Sequence, residues 1–287
     1  MKFEEIARTF EGIIKGENRN GREASEQIIS LLTPMLSDPT YSTEQRVFAY
    51  WNVSDNYAIL REHEGTYRNH RQFEQFLSDQ DERYKLMLVC DTTQKLSLVC
   101  GGYEKYWNGL YYDTVNACRV GPENYVIYFQ ALRCALYYRD NIAEYRSVGA
   151  HALDKMEEFL DLYRDDPQAP WFEMTYWDCR IKYEFHVFGG RREMAERSYP
   201  CFERLAACLR VDDQEKRLAV HSYENVLFGT YESWNSQRSP YVQARCVQNY
   251  IITLIDCGYR DLARKCLSLI PDGEFTTPYF KRKTAGV

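Results

Sequence analysis

The side chains best suited to chemistry in this sequence are two amides and an acid on one predicted helix, Thr43–His63. Asn52, Asp55 and Asn56 lie three and four positions apart, so their side chains point the same way from a helix. Each amide offers both a hydrogen-bond donor and an acceptor, which suits it to pairing with the backbone of an extended peptide. The spacing therefore predicts a polar strip that faces a groove and holds a partner segment.

Other residues enlarge this predicted binding site. Two lie beside the strip on the same helix, and two amides elsewhere could extend the row: Trp51, Arg61, Asn225 and Asn249. The alternative interpretation is structural, because an asparagine strip also suits a solvated helix face or a network of bonds between helices. The sequence leaves both interpretations open.

The histidines predict no metal site. None of the five is paired with another at i, i+4, and no His-Glu-x-x-His motif occurs. One helix face therefore cannot supply two zinc ligands. His63 and His70 are seven positions apart, and their rings would come close only if a helix continued through Gly65.

Sequence signatures of catalysis are also missing. The glycine pairs Gly101-Gly102 and Gly189-Gly190 do not continue into a phosphate-binding Lys-Ser or Lys-Thr, and no Gly-x-Ser-x-Gly elbow occurs. We therefore predict no catalytic residue and no cofactor, and lean towards a protein that is not an enzyme. Carboxylates from distant helices can still assemble an active site that sequence order does not show.

Composition narrows the classes of partner. Hydrophobic residues make up 45% and charged residues 27% of the 287, which is typical of a folded protein. The net charge is −6, and Lys and Arg are scattered, so direct binding of nucleic acid is not expected. No window approaches the eighteen apolar residues of a membrane span. We expect a cytoplasmic protein that does not bind a membrane.

Ten cysteines fall inside helical patterns, and none forms a Cys-x-x-Cys pair. In a cytosolic chain such residues are typical of reduced, buried core positions.

A three-residue pattern that occurs three times indicates which architecture positions the candidate binding residues. Tyr50-Trp51-Asn52, Tyr106-Trp107-Asn108 and Tyr176-Trp177-Asp178 each lie inside a predicted helix. Repeats of helix pairs bury a core between neighbours and leave a long surface free for a protein or peptide. The tyrosine and tryptophan rings themselves are more typical of core packing.

Apolar periodicity predicts about twelve helices and no strand. Ser42 and Gln45 form a capping box that starts the helix carrying Trp51. Pro200 interrupts a periodic run and predicts a kinked or split helix. Five glycines stand where helices are expected to end in a left-handed residue: Gly65, Gly121, Gly189, Gly190 and Gly258.

Two stretches share an order of residues in which a small residue closes one helix and an aromatic begins the next. They are Asn56-Tyr57 followed by Gly65 and Tyr67, and Asn249-Tyr250 followed by Gly258-Tyr259, Ala263 and Pro271. This order resembles the tetratricopeptide-like helical repeats. The resemblance implies an all-α fold, a right-handed superhelix of antiparallel helix pairs, forming a single domain over residues 1–269 with a C-terminal tail at 270–287.

Three functions fit this architecture. The leading one is a non-catalytic module that presents a concave groove, rich in Tyr and Asn, to a protein or peptide segment. The second resembles peptide-sensing regulators, and it would act through a protein partner because the chain shows no basic recognition helix. The third is a helical enzyme whose carboxylates come from distant helices.

Overall fold

The computed structural model describes residues 2–14, 21–80, 84–90, 104–136, 142–166, 169–208, 240–270 and 278–287. Within these ranges the secondary structure is helical, with no strand, so the all-α prediction is confirmed. The chain divides into two compact units where the sequence predicted one domain. The described residues up to 136 belong to the first unit, and those from 142 onwards belong to the second.

The first unit consists of consecutive helices joined by short connections. Its elements are α1 (Phe3–Ile14), α2 (Arg22–Leu32), a 3₁₀ turn (Thr33–Leu36), α3 (Thr43–Leu60), α4 (His63–Leu77), a helical stretch at 84–90, α5 (Glu104–Ala117) and α6 (Tyr125–Ala135).

Helix α3 is central to this unit, because α2 and α4 both pack against it. Its Phe48 ring meets Phe10 of α1 edge to face at 5.2 Å, and its Tyr50 ring stacks on Phe73 of α4 at 4.9 Å. Asn69 of α4 is buried and donates hydrogen bonds to the Tyr50 carbonyl and the Ser54 hydroxyl. The α3–α4 interface therefore combines stacked rings with a satisfied polar contact.

The second unit comprises α7 (Ile142–Leu162), α8 (Ala169–Phe188), α9 (Arg192–Cys208), α10 (Pro240–Asp256), α11 (Arg260–Leu267) and α12 (Pro278–Thr284). Helix α8 packs against α7, α9 and α10, and α10 packs in turn against α11 and α12. The core includes fully buried Phe202, Tyr250 and Leu254.

The segment that the sequence places in a tail contains α12, whose Phe280 is 2% exposed in this core. Lys283 of α12 pairs with Asp256 of α10 at 2.8 Å. A buried aromatic ring explains why this short helix packs on its unit.

The capping box at the start of α3 is confirmed. The Gln45 amide donates to the Ser42 hydroxyl at 3.3 Å, and the Ser42 amide donates to the Gln45 side-chain carbonyl at 2.9 Å. Left-handed glycines end α8 and α10, with φ of 79° at Gly189, 94° at Gly190 and 83° at Gly258. These helix ends follow from local sequence, because glycine adopts positive φ without a steric penalty.

Two helix ends and one helix break that the sequence predicts differ from the structure. Helix α3 ends at Leu60, and Arg61, with φ of 58°, takes the left-handed position instead of Gly65. Gly121 has no positive φ either. Pro200 lies inside α9, which continues through it to Cys208, so of the predicted kink or split the split is wrong and the kink stays a prediction. Packing of α9 against α8 and α11 holds the helix together where local propensity predicts a break.

The right-handed curved stack stays a prediction. Asn225 and the predicted helix Asp213–Trp234 lie outside the described residues.

Candidate functional site

The tyrosines of the three Tyr-Trp-Asn/Asp segments form hydrogen bonds to other elements of the fold. The Tyr50 hydroxyl lies 3.4 Å from the Leu36 carbonyl, the Tyr106 hydroxyl donates to Glu74 at 2.8 Å, and the Tyr176 hydroxyl bonds to Glu157. Leu36 lies in the 3₁₀ turn, and Glu74 and Glu157 lie in helices, each earlier in the same unit than its tyrosine. Burial raises the pKa of Tyr106 and Tyr176, and the neighbouring glutamates raise it further. Both hydroxyls therefore stay protonated and act as donors rather than as bases.

Each amide of the predicted polar strip on α3 donates one hydrogen bond within that helix. The Asn52 side-chain NH₂ donates to the Phe48 carbonyl at 2.9 Å, and that of Asn56 donates to the Asn52 carbonyl at 2.7 Å. Asn56 is 4% exposed, and its side-chain oxygen has no hydrogen-bond partner among the described residues. Asn52 and Asp55 are half-buried. The structure thus brings the three residues together on one helix, with each amide bonded to the backbone of that helix.

The other predicted binding residues in the described part of the chain differ in their exposure. Trp51 is 8% exposed in the core, and Arg61 is exposed at the end of α3. Asn249 is half-buried on α10 of the second unit. The role of all these residues in holding a partner stays a prediction.

A cavity that the sequence did not predict lies along the exposed face of α4, with a volume of about 590 Å³. The described residues that line it come from α4 and the position that follows it: Glu64, Tyr67, Arg68, Arg71, Gln72, Glu74, Gln75 and Ser78. We call this surface the α4 groove. Its lining alternates charged, amide and aromatic groups along a single helix.

One side of the α4 groove is held in place by α5. Glu74 accepts from the Tyr106 hydroxyl and pairs with Arg71 at 2.5 Å. The Arg71 guanidinium also lies 5.1 Å from the centre of the Tyr106 ring, and that ring meets Tyr67 edge to face at 6.0 Å. Hydrogen bonding to Tyr106, followed by the charge of Glu74, raises the pKa of Arg71. These contacts fix the positions of Arg71, Glu74 and Tyr67 on this side of the groove.

The remaining polar side chains of the α4 groove are exposed and uncommitted. Glu64, Arg68, Gln72 and Gln75 form no side-chain hydrogen bond or ion pair with any described residue. Their spacing of four, four and three positions is visible in the sequence, but it is also typical of an ordinary solvated helix face. What distinguishes this face is the contact of α4 with Tyr106, which is 32 positions beyond Glu74.

The second unit contains a buried ionic network around α8. Asp178, 3% exposed at its side chain, pairs with Lys182 and accepts from the Thr253 hydroxyl of α10. Glu184, 2% exposed, pairs with Arg180 at 2.9 Å and with Arg191 at 3.4 Å. Each of the two buried carboxylates thus has a cationic partner, an arrangement typical of a structural ion pair.

Seven cysteines in the described part of the chain are free, and all of them except half-buried Cys118 are buried. Burial raises the pKa of both Cys201 and Cys266 to about 12, which keeps these thiols protonated. Within the described ranges, no group of three or more His, Cys, Asp or Glu residues is placed to hold a metal ion. Among the described helices, none combines the length and apolar character needed to span a membrane.

No family model, curated protein or solved structure matches this chain.

Proposed function

We propose that this protein is a non-catalytic binding module that holds an extended protein or peptide segment along the α4 groove. The observation that supports it is a row of uncommitted polar side chains, Glu64, Arg68, Gln72 and Gln75, lining a cavity beside a fixed aromatic edge.

The spacing of the row suits an extended backbone. Residues four apart on a helix are separated by about 6 Å along its axis. Residues two apart on an extended strand are separated by about 6.7 Å, and their backbone groups face the same way. Arg68 and Gln72 can therefore meet alternate residues of a bound segment. A glutamine amide serves both the N–H and the C=O of that segment.

The length of the groove limits the size of the bound segment. Glu64 and Ser78 are fourteen positions apart, which corresponds to about 21 Å of helix. An extended segment of about six residues covers this distance. Because Arg71 and Tyr67 are already positioned by Tyr106, little side-chain entropy is lost on their side of the groove when a segment binds.

We also propose that the helices form tetratricopeptide-like pairs and that the protein works in the cytoplasm. The three tyrosine contacts between helices support the repeat, and the free cysteines are typical of a reducing compartment. A regulator acting through a protein partner would use the same groove.

A display library of short random peptides tests the proposal directly. Peptides enriched on the wild-type protein are measured by fluorescence polarisation against wild type and the double variant Gln72→Ala, Gln75→Ala. Loss of two hydrogen bonds should weaken binding by about tenfold or more. The melting temperature should not fall, because both residues are exposed and alanine favours the helix.

Gln27→Ala is the matched control, since Gln27 is an exposed glutamine on α2 outside the groove. Peptide binding should be unchanged in this variant. A library that yields no enriched peptide, or peptides that bind the double variant as tightly as wild type, would show that the α4 groove is not the binding surface.

A further inference from the structure

We infer that the segment held in the α4 groove carries an acidic side chain, and that Arg68 receives it. This inference rests on the proposed function and adds the chemistry of the partner. It is based on the ion pairing of the charged side chains that line the groove, because some of them have a partner within the protein and Arg68 has none among the described residues.

Of the four charged residues in the described lining of the groove, two form an ion pair with each other. Arg71 and Glu74 form an ion pair, and Glu74 also accepts the Tyr106 hydroxyl. The Arg71 guanidinium is further engaged by the Tyr106 ring. Both charges therefore have a partner of opposite sign within the protein.

The third charge, Glu64, lies in the first turn of α4. The backbone N–H groups at the start of a helix have no intrahelical partner and carry a partial positive charge. A carboxylate at this position is therefore stabilised by the helix itself. Glu64 stands at the N-terminal end of the groove, about 6 Å along the axis from Arg68.

Among the described residues that line the groove, Arg68 is the cation with no ion-pair partner. It is exposed, lines the cavity, and forms no ion pair or hydrogen bond with any described residue. Gln72 is one turn further on the same face and can donate its NH₂ group alongside the guanidinium. A planar guanidinium with a neighbouring amide donor matches a carboxylate, which accepts two parallel hydrogen bonds. An aspartate or glutamate of the bound segment is the occupant that fits.

The experiment uses peptides enriched on the wild-type protein from the random library. For each enriched peptide, every acidic residue is replaced in turn by its amide, and binding to wild type, Arg68→Gln and Arg8→Gln is measured. Glutamine is shorter than arginine, has a similar helix propensity and carries no charge. Arg8 is the matched control because it is an exposed arginine on α1 outside the groove.

On wild type and Arg8→Gln, replacing one acidic position by its amide should weaken binding roughly three- to tenfold. On Arg68→Gln the same replacement should change binding by less than about twofold, because the charge it faced is gone. The preference of the wild-type protein for the acidic peptide over its amide variant should also shrink at high salt, since an exposed pair of Arg68 with a carboxylate is screened. Circular dichroism of each variant establishes that the helices are retained.

The outcomes separate this inference from the proposed function. Enriched peptides whose binding depends on Gln72 and Gln75 but not on an acidic position would support the groove and overturn the acidic partner. An acidic preference that persists undiminished in Arg68→Gln would assign the carboxylate to another residue and overturn the role of Arg68. If no peptide is enriched, both the function and this inference fail.

Discussion

Replacement of Gly65 by alanine is expected to destabilise the first unit. Gly65 lies in the first turn of α4, directly against the Tyr57 ring of α3. A Cβ at this position would stand 2.7 Å from Cδ1, 2.8 Å from Cε1 and 3.1 Å from Cγ of that ring. Carbon atoms do not approach this closely without repulsion, so the ring or the helix must move.

The expected change in the free energy of unfolding is the difference between two opposed effects. Overpacking a well-packed contact costs about 1–3 kcal/mol. Replacing glycine by alanine in a helix gains up to about 1 kcal/mol, because it restricts the unfolded chain. The clash outweighs the propensity, and we expect Gly65→Ala to lower the free energy of unfolding by about 1–2 kcal/mol. In urea the midpoint should fall with an unchanged slope.

Two further variants distinguish a clash from a general intolerance of alanine. Gly109 lies inside α5, and a Cβ added there would meet no described atom within 4 Å, so Gly109→Ala should be neutral or stabilising. In a Tyr57→Ala background the ring is gone, and Gly65→Ala should no longer destabilise. The reasoning is refuted if Gly65→Ala is as stable as wild type, or if its loss is the same in both backgrounds.

Three other predictions concern the second unit. Phe280→Ala should cost about 3 kcal/mol or more in urea unfolding, because the ring is 2% exposed in the core; an unchanged midpoint would mean that α12 is not docked. Burial, followed by the Lys155 charge, lowers the pKa of His151 below 6.5, so the folded state favours the neutral ring. Its contribution to stability is present above about pH 6.5 and is lost as the pH falls further, and His151→Gln should show a smaller loss of urea midpoint between about pH 7 and pH 5. Cys201 and Cys266, with pKa values of about 12, should react with a thiol reagent at pH 8 only after unfolding; mass spectrometry showing fast native labelling of either would contradict their burial.

Features that depend on neighbours in the chain could be predicted from the sequence. The Ser42 and Gln45 capping box, the left-handed Gly258 and the apolar periodicity each act within a turn or two of helix. The prediction at Gly65 was different: a glycine was expected to end a helix, yet here it permits close contact with Tyr57. Local sequence does not distinguish these two uses of glycine, because the second depends on a ring from another helix.

The predicted strip on α3 shows the same division. Periodicity alone places Asn52, Asp55 and Asn56 on adjoining positions of one helix. Only the folded structure shows that Asn56 is buried and that both amide NH₂ groups are bonded within the helix. Their role in binding stays a prediction.

The sequence by itself determined that this protein is helical, where most of its helices begin and end, and which residues share a helix face. Those properties follow from backbone geometry and from caps that act over a few residues. Tertiary structure decided which polar side chains remain available. Glu74 and Arg71 are committed because Tyr106, from a helix far along the chain, lies against them, while Arg68 on the same face has no such neighbour among the described residues. Electrostatic and hydrogen-bond energies depend on distances between atoms, and the distances between residues of different helices are set only when those helices pack.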